Sequence, residues 1–258
     1  MSKYGKVAAI IEARMTSTRL PGKVILDIGG KPVLQRIVEK LKKNEHIDDV
    51  IVATTINNTD DAIVDLCDSI NCKVFRGSEN DVLSRVLDAA LENKVDVIVE
   101  ITGDCPFVDN EIINELFKVF ENNNYDYVSN TVNRTFPDGF DVQIFKTEAL
   151  KKTEKSTNCP VDREHVSLYI YSNPHIFSIY NWDAPEKFFH PEIEVTLDTI
   201  EDYKLITRVH DSLVKTKPDY GISEIIEFLL NNKEVARINE KTERNDPYEQ
   251  KRKLENNA

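Results

Sequence analysis

No stretch of this 258-residue chain approaches the roughly 20 consecutive apolar residues that cross a bilayer, so a membrane-spanning helix is not expected. Residues Met1 to Lys6 lack the apolar run of a signal peptide. The four cysteines, Cys67, Cys72, Cys105 and Cys159, form no CxxC pair, and the five histidines show no ligand spacing. Zinc is therefore a poor candidate, and reduced thiols in a cytoplasmic protein are expected. An excess of positive charge is also missing. The formal net charge is −12, opposite in sign to a usual duplex or anionic-membrane binder, so neither nucleic acid nor membrane is an expected partner. There is no GxGxxG, and Ser17 stands where a GxxxxGK[ST] loop needs glycine. Internal repeats and linkers rich in Gly, Pro or Ser are absent as well.

An apolar share of 40% beside a charged share of 30% suits a globular protein with a real core. The first half alternates strand and helix. Val7–Ile11 reads as a buried parallel strand. Pro32 opens a helix to Lys43, with Leu34, Ile37, Val38 and Leu41 on one face. Strands follow at 49–53, 73–75 and 95–101. Between and after them come helices at 59–70, from Ser78 (with Asp81 at capping-box spacing) to about Asn93, and beyond Asp109. Asp60 and Asp61 read as first-turn acids. This pattern predicts an α/β fold with a mainly parallel sheet and helices on both faces.

The second half is less regular. Strands are expected at 141–145, 177–182 and 193–197. Helices are expected at 161–171, capped by Asp162, from Thr199 to Val214, and from Ser223 to Asn232. Tyr169, Tyr171, Phe177, Tyr180 and Trp182 read as core or subunit contact. Residues 1–235 are taken as one domain with an inserted lobe at about 130–190, and residues 236–258 as a charged tail, either solvated or a frayed helix, that includes Lys251-Arg-Lys253.

The chemistry concentrates in Glu12-Ala-Arg-Met-Thr-Ser-Thr-Arg-Leu-Pro-Gly-Lys23, directly after the first strand. Ligands of open α/β sheets sit at the carboxyl ends of the strands. Arg14 and Arg19 offer forked donors, Lys23 a point charge, Ser17 and its neighbouring threonines hydroxyls, and Gly22 close backbone approach. A triphosphate asks for that inventory; the alternative is a solvated basic loop. Asp104 and Asp198 each follow a predicted strand and could reach the same sheet edge. By residue type alone, either could equally be a turn or helix-entry acid. Asp141 and Arg163-Glu-His165 are candidates for an acceptor site, since Asp141 can accept from hydroxyls, Arg163 can pair with an anion and His165 can move a proton.

Arg14-Met-Thr-Ser-Thr-Arg-Leu-Pro-Gly-Lys23 resembles the signature of the cytidylyltransferases that activate 3-deoxy-manno-octulosonate, and still more that of the spore coat polysaccharide biosynthesis F proteins. The similarity runs on through Gly29–Val33, Phe75–Leu83, Ile101–Pro106, Pro137–Val142, Arg163–Val166 and Val195–Thr199. It implies a Rossmann-like nucleotide-diphospho-sugar transferase fold with an inserted dimerisation lobe, a homodimer, and CTP-dependent activation of a sugar acid with release of pyrophosphate. Sugar-1-phosphate nucleotidyl transfer with another triphosphate, nucleotide-sugar binding by a glycosyltransferase-like protein, and a non-catalytic pathway role are the alternatives. By the same resemblance Ala13, Arg14, Ser17, Arg19 and Lys23 hold the nucleotide together with Thr102 and Gly103. Arg76, Gly77, Ser78, Asn80 and Asp81 lie near base and ribose. Asp104 and Asp198 hold Mg²⁺, with Arg14, Lys23 and Asp104 carrying the catalysis. One departure inverts a charge: the spore coat group has Arg before Ile-Thr-x-Asp-Cys-Pro, where this chain has Glu100. The octulosonate enzymes read Gln-Gly-Asp-Glu-Pro where this chain has Thr102-Gly-Asp-Cys-Pro106.

Overall fold

The computed structural model describes residues 4–244 together with 249, 251 and 252. In chain order the strands are β1 (Val7–Glu12), β2 (Asp27–Ile28), β3 (Lys31–Pro32), β4 (Asp49–Thr55), β5 (Lys73–Gly77), β6 (Val97–Thr102), β7 (Tyr127–Ser129), β8 (Gln143–Lys146) and β9 (Ile179–Asn181). The helices are α1 (Val33–Leu41), α2 (Asp61–Ser69), α3 (Val82–Glu92), α4 (Asn110–Asn122), α5 (Thr147–Ser156), α6 (Pro160–Glu164), α7 (Leu168–Ser172), α8 (Ile200–Leu213), α9 (Ile222–Asn231) and α10 (Lys233–Ala236).

Seven strands form one sheet in the order β5-β4-β1-β6-β8-β7-β9, and β2 and β3 make a separate hairpin. The first four strands are parallel, as the alternation predicts. β8 runs antiparallel to both β6 and β7, and β9 returns parallel to β7. Strands from the expected second-half lobe therefore extend the same sheet.

The period of two in β1 divides the interior into two cores. Val7, Ala9 and Ile11 pack with α1, α4, α8 and α9. Ala8 and Ile10 face the other way, onto α3, α5 and α7. All five are fully buried, which is why β1 reads as a continuous apolar run rather than an alternating one. From β1 the chain moves outward to β4 and β5, then crosses back to β6 on the other flank. The topological switch point thus lies between the carboxyl ends of β1 and β6, where a ligand crevice is expected.

Several local expectations change. Pro32 is the N-cap of α1 rather than its first helical residue. The cap of α3 is Asp81, which accepts from Ser84 N–H, while the Ser78 hydroxyl accepts from Asp81 N–H. Asp60 stands at the start of α2 as its N-cap residue and is fully buried. The helix expected at 161–171 is broken into α6 and α7 around Val166, whose φ is 44°. A β-branched residue there is strained by roughly 1–3 kcal/mol. Asp162 is buried and bonded to the Thr157 hydroxyl and the Lys251 ammonium, so it does not cap a helix. Segment 193–197 forms a single bridge, Asp138 to Glu194, rather than a strand. Gly221, not Ser223, precedes α9. The capping box at Thr199 and Asp202 is present as read.

The charged tail is not simply solvated. Arg244 pairs with Asp202, which has no exposed surface, and also with Glu194. Lys251 bonds the buried Asp162; Lys253 lies outside the described residues. The four cysteines are free. Among the described residues no helix is long and apolar enough to cross a membrane.

Candidate active site

The signature loop leaves β1 at the switch point and is tied down from below. Asp60 accepts from Met15 N–H at 2.9 Å and from the hydroxyls of Thr54 and Thr55 at 2.9 and 2.6 Å. Burial pushes the Asp60 carboxyl up, but these donors outweigh it and hold its pKa below the usual aspartate value. Glu79 accepts from the Thr16 hydroxyl and lies 4.0 Å from Arg14. Gly22 takes φ 72°, a left-handed turn that starts the short helical turn carrying Lys23.

On the other side of the crevice, Gly103 N–H donates to Glu12 C=O at 2.8 Å. A Cβ on Gly103 would sit 2.7 Å from that oxygen, so only glycine lets β1 and β6 end this close together. Asp104 follows directly. Its carboxylate lies 2.7 Å from the Lys23 ammonium, and the carboxylate of Asp198, 94 residues further on, lies 2.8 Å from the same nitrogen. Burial works against the Lys23 charge, yet Asp104 and Asp198 outweigh it and hold its pKa above the ordinary lysine value. Asp104 shows the mirror image: burial would raise its pKa, and Lys23 brings it below the ordinary aspartate value. Arg19 pairs with the second oxygen of Asp198 at 2.8 Å, and Arg244 stands 3.7 Å away.

Arg19, Lys23, Asp104 and Asp198 line one cleft of about 330 Å³, together with Ala13, Arg14, Ser17, Thr102, Gly103 and His165. The crevice thus brings together Ala13, Arg14, Ser17, Arg19, Lys23, Thr102, Gly103, Asp104 and Asp198. Arg76, Gly77, Ser78, Asn80 and Asp81 do not line it. Arg76 instead donates to the carbonyls of Thr55 and Asn57 and pairs with Asp61. Asp81 is bound at 2.6 and 2.8 Å by the guanidinium of Arg163. Arg163 is thereby a structural tie between α3 and α6 and lines neither the cleft nor the cavity beside it.

That second cavity, about 430 Å³, holds the other acceptor candidates, Asp141 and His165. It shares Glu12, Thr102, Glu164 and His165 with the cleft, so the two open into one another along the end of β1. The break at Val166 places Glu164 and His165 at this junction. Arg134 grips both oxygens of Asp141, at 2.5 and 3.0 Å, and stands 3.6 Å from Asp138. Burial and the charge of Asp141 raise the Asp138 pKa to about 6 despite Arg134. Glu12 and Glu100 meet at the floor. The β1–β6 register pairs Ile10 with Glu100, so Glu12 is Glu100's diagonal neighbour on the same face. Their carboxyls influence one another, and like charge disfavours ionising both. Burial raises the Glu12 pKa to about 7, and burial with the adjacent Glu12 raises that of Glu100 well above the usual range. The charge inversion at Glu100 therefore faces this cavity rather than the Asp104–Asp198 pair.

Sequence reading missed Arg134, Arg244, Asp60 and the Glu12–Glu100 pair. Only Glu100 gave a signal, as a departure from the resembled pattern.

The sequence profile of the cytidylyltransferases matches residues 8–256. The protein MJ1063 of Methanocaldococcus jannaschii is 42% identical over 91% of this chain and 94% of its own length. The spore coat polysaccharide biosynthesis protein SpsF of Bacillus subtilis is 32% identical over 88% of this chain and 95% of its own. A cytidylyltransferase structure from Leptospira borgpetersenii superposes with a TM-score of 0.83 at 32% identity, covering 93% of this chain and 99% of that one. With the signature loop, the switch-point crevice and this breadth of similarity agreeing, the chain belongs to the cytidylyltransferase family of nucleotidyltransferases.

Proposed function

We propose that the protein transfers the cytidylyl group of CTP to an oxygen of a glycan-pathway acceptor and releases pyrophosphate. One observation carries the reading: the Lys23 ammonium sits between Asp104 and Asp198 in a cleft that also presents Arg14 and Arg19. The acceptor would lie in the adjoining cavity and attack across the shared border. The new bond joins the acceptor oxygen to the α-phosphorus, the bond from that phosphorus to the β-bridging oxygen breaks, and the acceptor hydroxyl loses its proton. Arg14, Arg19 and Lys23 would hold the triphosphate and take up the charge that moves onto the leaving group.

The donor set fits Mg²⁺. Asp104 and Asp198 present oxygens 2.7 and 2.8 Å from one cation, the ammonium of Lys23. Among the described residues no group of three or more His, Cys, Asp or Glu is placed to hold a metal ion by itself, so the remaining ligands would be substrate phosphate and water. Mg²⁺ bound there would neutralise phosphate charge and polarise the α-phosphate.

The sequence resemblance makes a sugar acid the expected acceptor class. The test is pyrophosphate release with CTP, Mg²⁺ and a panel of hydroxyl-bearing acceptors, with UTP, GTP and ATP in parallel. Release that depends on CTP and stops with chelator is expected. Absence of CTP binding by the folded protein would overturn the assignment.

A further inference from the structure

Arg19 and Lys23 hold two posts at once. Each contacts Asp198 at 2.8 Å, and in the cytidylyl-transfer reading each also grips the triphosphate. Contact given to phosphate is contact that Asp198 loses. A carboxylate that is to serve a metal beside Asp104 then needs a partner that stays behind.

Arg244 is placed for that role. Its Nη1 stands 3.7 Å from Oδ2 of Asp198, the oxygen that Arg19 pairs with, yet Arg244 does not line the cleft. The side chain is held from the other direction. Nη2 and Nη1 donate to the two oxygens of the buried Asp202 at 2.7 and 3.1 Å, and Glu194 pairs with the same guanidinium. Asp202 passes the hold to the main chain, because its Oδ2 accepts from the N–H of Asp198 at 3.0 Å and of Thr199 at 2.8 Å. Arg244 thus bears on Asp198 twice, directly at the carboxylate and through Asp202 at the backbone. A planar guanidinium with five donors can face three carboxylates at once, which a single ammonium cannot.

The residues just before Arg244 add to the hold. The Glu243 C=O accepts from Arg19 Nη1 at 3.1 Å. The Asn239 amide donates to Asp202 Oδ1 at 2.8 Å and to the Glu194 C=O at 3.0 Å. Segment 239–244 therefore straps the signature loop to Asp198 from outside the cleft.

Building on the cytidylyl-transfer reading, we propose that Arg244 is a positioning residue for the metal that accompanies CTP. It keeps the Asp198 carboxylate turned toward Asp104 while Arg19 and Lys23 engage phosphate, and it touches neither nucleotide nor metal. Partners that orient a metal ligand from behind are commonly worth about 10–100-fold in metal affinity. Charge balance alone predicts the opposite sign, since removing a cation beside a carboxylate leaves more attraction for Mg²⁺. The direction of the effect therefore separates orientation from neutralisation.

The test is calorimetric titration of CTP into the full chain, once with Mg²⁺ and once with chelator. No acceptor is needed, so the readout is binding rather than turnover, and the ratio of the two affinities is the gain due to the metal. The parent is expected to show a gain. Arg244→Gln is expected to reduce it about tenfold and to leave the metal-free affinity nearly unchanged. Melting curves set a temperature at which both chains are folded, and partial unfolding would lower both affinities alike. Arg237→Gln, which removes an arginine with a 71% exposed side chain earlier in the C-terminal region, is expected to change neither. Should Arg244→Gln not fold, Arg244→Lys gives the same reading at smaller size, because one ammonium can hold Asp202 without also reaching Asp198. An undiminished or larger gain in the Arg244 variant, an equal fall in both affinities, or no gain in the parent overturns the proposal. CTP that fails to bind the parent under either condition overturns the cytidylyl-transfer reading itself; CTP that binds with an undiminished gain in the variant removes only the role of Arg244.

Discussion

The cleft and the cavity share a wall yet treat their carboxylates in opposite ways. In the cleft both aspartates have a cation in contact: Lys23 on Asp104, and Lys23 and Arg19 on Asp198, with Arg244 close behind. Asp104 is held below its ordinary pKa as a result. In the cavity five acids face one arginine, and burial drives Glu12 to about 7 and Asp138 to about 6. The same physical condition, removal from water, yields ionised pairs where counter-charge is built in and protonated acids where it is not. A cleft balanced by its own cations can exchange them for a metal and a polyphosphate.

That contrast can be broken most severely at Lys23. Lys23→Ala leaves Asp104 and Asp198 facing each other without their common partner. Cytidylyl transfer is expected to fall on the order of 10²–10³-fold in kcat, read as pyrophosphate release at saturating CTP. A rate within severalfold of the parent would mean the ammonium does not serve the reaction.

Next in size is Arg244→Ala. Asp202 is fully buried and the Arg244 side chain only 18% exposed, so the remaining acid would be stranded. A loss of about 3 kcal/mol, or a melting temperature lower by on the order of 5–10 °C, is expected in thermal melts. An unchanged melting temperature would show that the C-terminal segment does not clasp the site in solution.

The smallest effect carries the opposite sign. Glu12 has a folded-state pKa of about 7 against an ordinary 4.5. The folded chain keeps a proton that the unfolded chain releases, so stability falls as pH rises from about 4.5 through about 7. Asp138 contributes in the same direction between 3.8 and about 6. Glu12→Gln should flatten that slope and raise the melting temperature at pH 8 by a few degrees. A lower melting temperature at every pH would mean that Glu12 is matched by charge after all.

Much of this arrangement is legible in the sequence, because β1 and the centres of β4 and β6 are apolar runs and the loop after β1 gathers Arg14, Arg19 and Lys23 within ten residues. Asp104 and Asp198 could be placed because each follows an expected strand end. The rest depends on information that periodicity does not carry. Glu12 and Glu100 become neighbours only through the β1–β6 register. Arg163 reads as an anion binder because its type fits that role, and only the packing of α6 on α3 shows Asp81 occupying it. A tail dense in charge looks solvated unless the buried acid it meets, Asp202 for Arg244, is known to be there. The break at Val166 runs against local propensity, so helical spacing carries straight through it.

The close seam at Gly103 has a consequence for how the two compartments work together. With its amide bonded to the Glu12 carbonyl and no room for a side chain, the end of β6 cannot slide relative to the end of β1. The offset between the backbones of Asp104 and Glu12 is therefore set by the main chain. Side chains borne on the two strand ends thus start from a fixed spacing across the border of the two compartments.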